Sequence, residues 1–181
     1  MPRLFVALTP PDTVRAELGA LAEPMDGVAW VPPENIHLTL RFIGEATDER
    51  QAEIEAMLAR VRVEPFILPV KDVGTFPPRG RPKILWAGLG NAHTRLFQLR
   101  QRVDDALLAV ALELDIRHFH PHFTIARLKE NLDEKALARF LRRHATFEAP
   151  PFRVNEFQLY ASELAATGST YTVVRRFPLG G

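Results

Sequence analysis

The stretch Arg117-His118-Phe119-His120-Pro121-His122-Phe123-Thr124-Ile125-Ala126-Arg127 decides how the chain is read, because its core, His122-Phe123-Thr124-Ile125, restates an earlier segment, His37-Leu38-Thr39-Leu40. In each, a histidine stands two residues before a threonine and apolar side chains fill the alternate positions, the pattern of a strand with one buried face. His37 and Thr39 are expected to share one face of their strand, and His122 and Thr124 one face of theirs. We read the two faces as meeting across a single cleft that handles a phosphate.

The surroundings of the two segments match as well. In the first half, residues 4–8 read as a buried strand, Thr9-Pro10-Pro11-Asp12 breaks it and caps a helix over about 13–22, and 28–31 form a short strand stopped by Pro32-Pro33. The first His-x-Thr strand spans 36–43 and closes at Gly44. A helix begins at Asp48, with Ile54, Met57, Leu58 and Val61 at helical spacing, and 65–70 form a strand. In the second half, 84–89 read as a strand and about 92–114 as the longest helix, with Leu96, Leu99, Val103, Leu107, Val110 and Leu114 along one face. The second His-x-Thr strand spans 117–128, and a helix over about 133–145 buries Leu137, Phe140 and Leu141. Strands at 152–161 and 170–177, separated by Gly168, close the chain as a hairpin.

His122 follows His37 by 85 positions, the helix start at Asp133 follows that at Asp48 by the same 85, and the strand at Phe152 follows that at Pro65 by 87. This order predicts a duplicated unit with approximate two-fold symmetry.

Composition narrows the chemistry. With 181 residues and 46% hydrophobic content, the chain fits one domain, residues 1–181, of two lobes. Lys plus Arg (23) nearly balance Asp plus Glu (22), a net charge of +1, so nucleic-acid contacts must come from local clustering rather than a long duplex footprint. The absence of cysteine removes disulfides, thiolate nucleophiles and Cys-containing zinc sites. The apolar run after Met1 is too short for a signal sequence or a membrane span, so the expectation is a soluble cytoplasmic monomer. Ser162 and Ser169, the only serines, lack a Gly-x-Ser-x-Gly setting, and no phosphate-binding Gly-rich loop with Lys or His-Glu-x-x-His helix is present.

Transfer of a phosphodiester without a metal needs one group to deprotonate the nucleophile and another to protonate the leaving oxygen. Two histidines suit this task, because an imidazole pKa of about 6.5 lets one be neutral and the other protonated near neutral pH. A threonine two residues along lies roughly 6.5 to 7 Å further on the same face, so its hydroxyl and the imidazole can converge on one phosphate. The plainer reading is two partly buried, hydrogen-bonded histidines with a structural role. A third reading is a metal site, since His118, His120 and His122 share parity. At that spacing two neighbours could chelate, but three on a straight strand could hardly surround one ion. Pro121 marks an edge strand or a strand start.

His93 and His144 sit at helix ends and read as structural. By parity Arg41 points into the cleft with His37 and Thr39, either toward substrate phosphate or as a solvated charge. Phe42 and Phe76 are candidate base-stacking surfaces, core packing being the first expectation for Phe42. The loop 74–83, with Phe76, Arg79, Arg81 and Lys83 among Pro and Gly, is either a linker or a substrate-facing loop.

The segments Trp30-Val31-Pro32-Pro33-Glu34-Asn35-Ile36-His37-Leu38-Thr39-Leu40-Arg41-Phe42-Ile43-Gly44 and Phe119-His120-Pro121-His122-Phe123-Thr124-Ile125-Ala126-Arg127 resemble the two signatures of the two-histidine phosphoesterases. More closely, the chain resembles the RNA 2′,3′-cyclic phosphodiesterases, also called 2′-5′ RNA ligases, and the likeness extends to Leu4-Phe5-Val6-Ala7-Leu8, Leu85-Trp86-Ala87-Gly88 and Leu159-Tyr160-Ala161-Ser162. The resemblance implies a bilobal α+β fold in which antiparallel sheets line a central cleft and helices lie outside. It implies hydrolysis of RNA ends or nucleoside 2′,3′-cyclic phosphates to 2′-phosphates, without a cofactor, and reversible 2′-5′ ligation. His122 would be the base and His37 the acid, Thr39 and Thr124 would hold non-bridging oxygens, and Arg127 would bind phosphate. Strict alternation puts Arg127 on the face opposite His122, so a bulge or the strand end must turn it inward. His118 and His120 would be rim residues near the RNA. The alternatives that stay open are a non-catalytic RNA-end binder and a metal-dependent hydrolase built on His118, His120 and His122.

Overall fold

A computed structural model of the chain describes residues 2–113, 115–165 and 168–181. Ten strands and four α-helices are formed among them: β1 (Arg3–Leu8), α1 (Asp12–Gly19), β2 (Val28–Trp30), β3 (Leu38–Glu45), α2 (Asp48–Leu58), β4 (Phe66–Lys71), β5 (Val73–Phe76), β6 (Ile84–Ala87), α3 (Thr94–Leu108), β7 (Phe123–Leu128), α4 (Glu134–Arg143), β8 (Glu148–Val154), β9 (Glu156–Ala165) and β10 (Gly168–Pro178). The fold is α+β, as expected. Every pairing between these strands is antiparallel. No helix among the described residues is long and apolar enough to cross a membrane.

The duplication is present, and the halves interlock. One sheet has the order β10-β9-β1-β3 and the other β2-β7-β6-β5, with β4 and β8 paired separately. Thus the first-half pair β1 and β3 is extended through β1 by β9 and then β10 of the second half, while the second-half pair β6 and β7 is flanked by β5 and β2 of the first. Neither half completes its own sheet, so each His-x-Thr strand is walled by residues from both ends of the chain. One continuous core runs through both sheets, from Leu4, Val6, Leu38 and Leu40 to Leu85, Phe123, Ile125 and Phe157. The opposite face of β1 holds a separate small cluster of Phe5, Ala7 and Tyr160, flanked by Tyr171 and Val173.

Helix starts follow from their caps. The Thr47 side chain accepts from the Arg50 amide at 3.3 Å, and Asp133 Oδ1 accepts from Ala136 at 2.9 Å, each satisfying a donor that the first helical turn leaves free. His93 Nδ1 does the same for Arg95 at 3.1 Å and caps α3, while His144 ends α4. Asp12 lies inside the first turn of α1 rather than capping it; the N-cap is Pro11, with no side-chain bond. Helix α3 ends at Leu108, shorter than its apolar periodicity predicts, and Leu114, the expected last member of its buried face, lies outside the described residues. Residues 74–76, expected as the start of a loop, belong instead to strand β5. Gly74 faces Trp86 across the pair, and a Cβ there would stand 2.3 Å from the indole, so only glycine lets that ring lie across β5.

Phe140 is fully buried in α4 against Trp30, at 5.6 Å between ring centroids. Phe140→Ala is expected to lower stability by about 3–5 kcal/mol in urea unfolding, against about 1 kcal/mol for loss of the Thr47 cap in Thr47→Ala.

Candidate active site

His37 and His122 each stand one residue ahead of a strand, β3 and β7 respectively, and each is oriented by the same local bond. His37 Nδ1 lies 2.8 Å from the carbonyl oxygen of Asn35, and His122 Nδ1 lies 2.6 Å from that of His120. A carbonyl only accepts, so Nδ1 carries the proton and donates in both rings. That leaves Nε2 as the nitrogen free for proton transfer on each histidine.

The strands then repeat one another in burial. Residues 38–43 and 123–128 both run buried, half-buried, buried, buried, exposed, half-buried. Two successive buried residues break simple alternation, and the register gives the cause. On β3, Val6 pairs with Arg41 and Ala7 with Thr39, so Leu40 is an extra residue; on β7, Leu85 pairs with Ala126 and Trp86 with Thr124, so Ile125 is extra. Each bulge flips the parity of the residues beyond it. Arg127 is therefore returned to the face of His122 and Thr124, which alternation alone denied it.

The same bulge corrects the expectation for Arg41. It does not point into the cleft but is buried, 8% exposed, and paired with Asp104 and Asp115, each 3.2 Å away. The residue brought to the His37 face is Phe42, 57% exposed and opposite Phe5 in the ladder, with ring centroids 6.1 Å apart. Phe42 is thus no core residue. Phe42 and Arg127 both stand five positions after their histidine and are counterparts in the duplication.

The walls of the two histidines differ. His37 sits among Phe5 at 5.0 Å, Tyr171 edge-on at 5.2 Å and Tyr160 at 6.1 Å. Tyr160 hydroxyl also meets that of Thr9 in a hydrogen bond. His122 meets Phe76 edge-on at 5.1 Å, and Phe76 rests in turn on Trp86 and His120. The segment 74–83 therefore begins as site wall, and Phe76 packs a histidine instead of standing free for a base.

Burial pushes the pKa of His37 down, the Asn35 bond offsets this in part, and the charges of Arg15, Arg127 and His122 lower it further. His122 is also lowered by burial, against the His120 carbonyl bond, with the His120 ring contributing in the same direction as burial. The two motifs are thus within electrostatic reach of each other. Arg15, on α1, was not singled out from the sequence; nor were Tyr160 and Tyr171, whose approach to His37 depends on long-range pairing that no local pattern reports.

The three-histidine metal site loses its geometric premise. Residues 117–121 are not strand, and the rings of His118 and His120 contact each other edge-on at 4.4 Å. Among the described residues no group of three or more His, Asp or Glu side chains is disposed to hold a metal ion.

Two imidazoles, each held through Nδ1 by a carbonyl two residues earlier and followed by a threonine on a bulged strand, make up the candidate site. Comparison with known proteins gives the family: the family model described as LigT like Phosphoesterase matches residues 8–86 and 89–171, one stretch around each motif. The chain belongs to the LigT-like phosphoesterases. It is 34% identical over 161 residues to an RNA 2′,3′-cyclic phosphodiesterase of Aeropyrum pernix, covering 85% of this chain and 92% of that protein. A counterpart of the same name from Archaeoglobus fulgidus is 32% identical, covering 97% and 99%. Among solved structures, a Thermus thermophilus protein superposes with a TM-score of 0.83 at 29% identity, covering 99% and 98% of the two chains. Escherichia coli LigT complexed with 3′-AMP gives 0.80 at 26% identity, covering 100% of both.

The lowered pKa values predict that both histidine rings, followed by NMR, titrate below the ordinary value of about 6.5. Added inorganic phosphate, a nearby anion, is expected to raise both. Unfolded imidazoles take up protons first as the pH falls through about 6.5, so stability is expected to decline on acidification below that value, and less so in His37→Gln.

Proposed function

We propose that residues 1–181 act as one two-lobed, metal-independent RNA 2′,3′-cyclic phosphodiesterase domain, opening terminal cyclic phosphates on RNA ends or nucleosides to 2′-phosphates. The observation that carries this reading is the matched pair of histidines, each tautomerically set by a carbonyl two residues earlier. The names of the relatives and the 3′-AMP complex of Escherichia coli LigT support the substrate class. Both motifs come from one chain, so a monomer suffices.

In the reaction, His122 Nε2 takes a proton from water as its oxygen attacks phosphorus. The bond from phosphorus to the 3′-oxygen breaks, and protonated His37 delivers its Nε2 proton to that oxygen, leaving the phosphate on the 2′-oxygen. Thr39 and Thr124 hydroxyls donate to the non-bridging oxygens, and Arg127 neutralises their charge. Attack by a 5′-hydroxyl in place of water, by the same proton transfers, gives a 2′-5′ linkage. Phe42, exposed on the His37 side, offers a stacking face to a base.

The test is turnover of a 2′,3′-cyclic nucleotide and of cyclic-ended RNA in excess EDTA. His37→Ala and His122→Ala are each expected to lower kcat by about 10² to 10⁴. Undiminished turnover in both variants would remove the assignment, and a 3′-phosphate product would overturn the stated regiochemistry. Chelation that abolishes wild-type turnover would favour a metal route, and binding of cyclic ends without any product would favour a non-catalytic binder. With both pKa values lowered, kcat/KM is expected to trace a bell centred on the acid side of about 6.5, and kcat to peak at higher pH once the phosphate is bound. Phe42→Ala is expected to weaken RNA-end binding by about 1–3 kcal/mol, seen in KM with kcat nearly unchanged.

A further inference from the structure

Where the second motif strand buries Ala126, the first buries Arg41 at the equivalent position after the bulge. A guanidinium there needs partners, and the other half of the chain supplies one hydrogen-bond acceptor, the Glu113 carbonyl, and two carboxylates at ion-pair distance. Its Nε lies 3.2 Å from Asp104 Oδ1 on α3, one terminal nitrogen lies 3.2 Å from Asp115 Oδ2, and the other donates to the Glu113 carbonyl. Arg100 pairs with Asp104, approaches Asp115 Oδ2 at 3.8 Å and lies over the Phe119 ring at 5.5 Å. Arg117 closes the outer side of Asp115, with Nε at 2.7 Å. These bonds from Arg117, with the charge of Arg41 added, hold the Asp115 carboxyl well below the usual carboxylate range.

Asp115 belongs to residues 115–122, a run without regular secondary structure that ends on His122. Arg41 stands four positions after His37. Strands β3 and β7 lie in different sheets, so no ladder bond sets the spacing of the two histidines. We propose that Arg41, through Asp115, is a positioning residue for the two-histidine reaction: it ties the strand that follows His37 to the irregular segment that delivers His122, and so fixes the separation of the two imidazoles. The tie rests on the function proposed above. Stability alone does not explain it, because well-packed apolar residues commonly serve as well as a buried ion pair, and Ala126 fills the matching place without one.

The test compares Arg41→Lys, Arg41→Met and the near-isosteric Asp115→Asn with Leu107→Ala, a buried α3 change that loosens the same helix and leaves the charges intact. All are assayed on a 2′,3′-cyclic nucleotide in EDTA, corrected for folded fraction by circular dichroism. Arg41→Met and Asp115→Asn are expected to lose up to about 10²-fold in kcat with KM little changed, because misplacement of about 1 Å can cost that much, and Arg41→Lys is expected to recover part of the loss. By NMR, the ring signals of His37 and His122 are expected to shift in the Arg41 and Asp115 variants, with that of His144 fixed. Folded Asp115→Asn or Arg41→Met with wild-type kcat overturns the tie, as does an equal kcat loss in Leu107→Ala. Should Arg41→Met not fold, Asp115→Asn and Arg41→Lys decide by the same readouts. A wild-type protein without turnover removes the functional reading and the tie together, whereas active wild type with unaffected variants removes the tie alone.

Discussion

One extra residue in each of two strands sets what the cleft contains. Leu40 and Ile125 fill no ladder position, and both point into the core. Their insertion reverses the alternation beyond each threonine, so that a fifth residue after the histidine, Phe42 in one half and Arg127 in the other, returns to the site face. Without the bulges, the chain would present Arg41 and Ala126 there instead. A phosphate site would then have a cation beside His37 and nothing beside His122.

The scaffold is symmetric and its contents are not. Both histidines share a carbonyl bond, a following threonine and a bulge. Yet one is enclosed by Phe5, Tyr160 and Tyr171, while the other meets, among the described residues, the ring of Phe76. Strand exchange between the halves produces this difference, because the hairpin of β9 and β10 covers the first motif while the shorter β5 covers the second. Two equivalent imidazoles would have no reason to divide the roles of acid and base. Unequal burial, and the charges of Arg15 and Arg127 acting on His37, break the equivalence; in the free protein they favour neutral His37, so its service as the acid depends on the bound phosphate anion restoring its proton.

Much of this is legible in the sequence because it is local. The repeated His-x-Thr text, the 85-residue offset, the helix starts near Asp48 and Asp133 and the α+β class all follow from short-range pattern and chemistry. The need for a bulge at Arg127 can be inferred, since the arginine that the family resemblance assigns to the phosphate sits on the wrong parity. Arg41 shows the converse: the same parity rule, applied without a bulge, turns a buried ion-paired side chain toward the cleft. Parity also makes strand of the three histidines before Phe123, where the chain is irregular. Contacts such as Tyr171 on His37 depend on which strands pair across more than a hundred residues, and no window of sequence carries that information.

If the two histidines act on opposite sides of one phosphorus, the reaction is a single in-line displacement. A nucleoside 2′,3′-cyclic phosphorothioate of defined configuration, hydrolysed in ¹⁸O-labelled water, tests this most directly. One labelled oxygen in the 2′-product and inversion of configuration at phosphorus are expected. Retention would mean two displacements through a phosphorylated side chain, and would contradict the assignment of the imidazoles as acid and base.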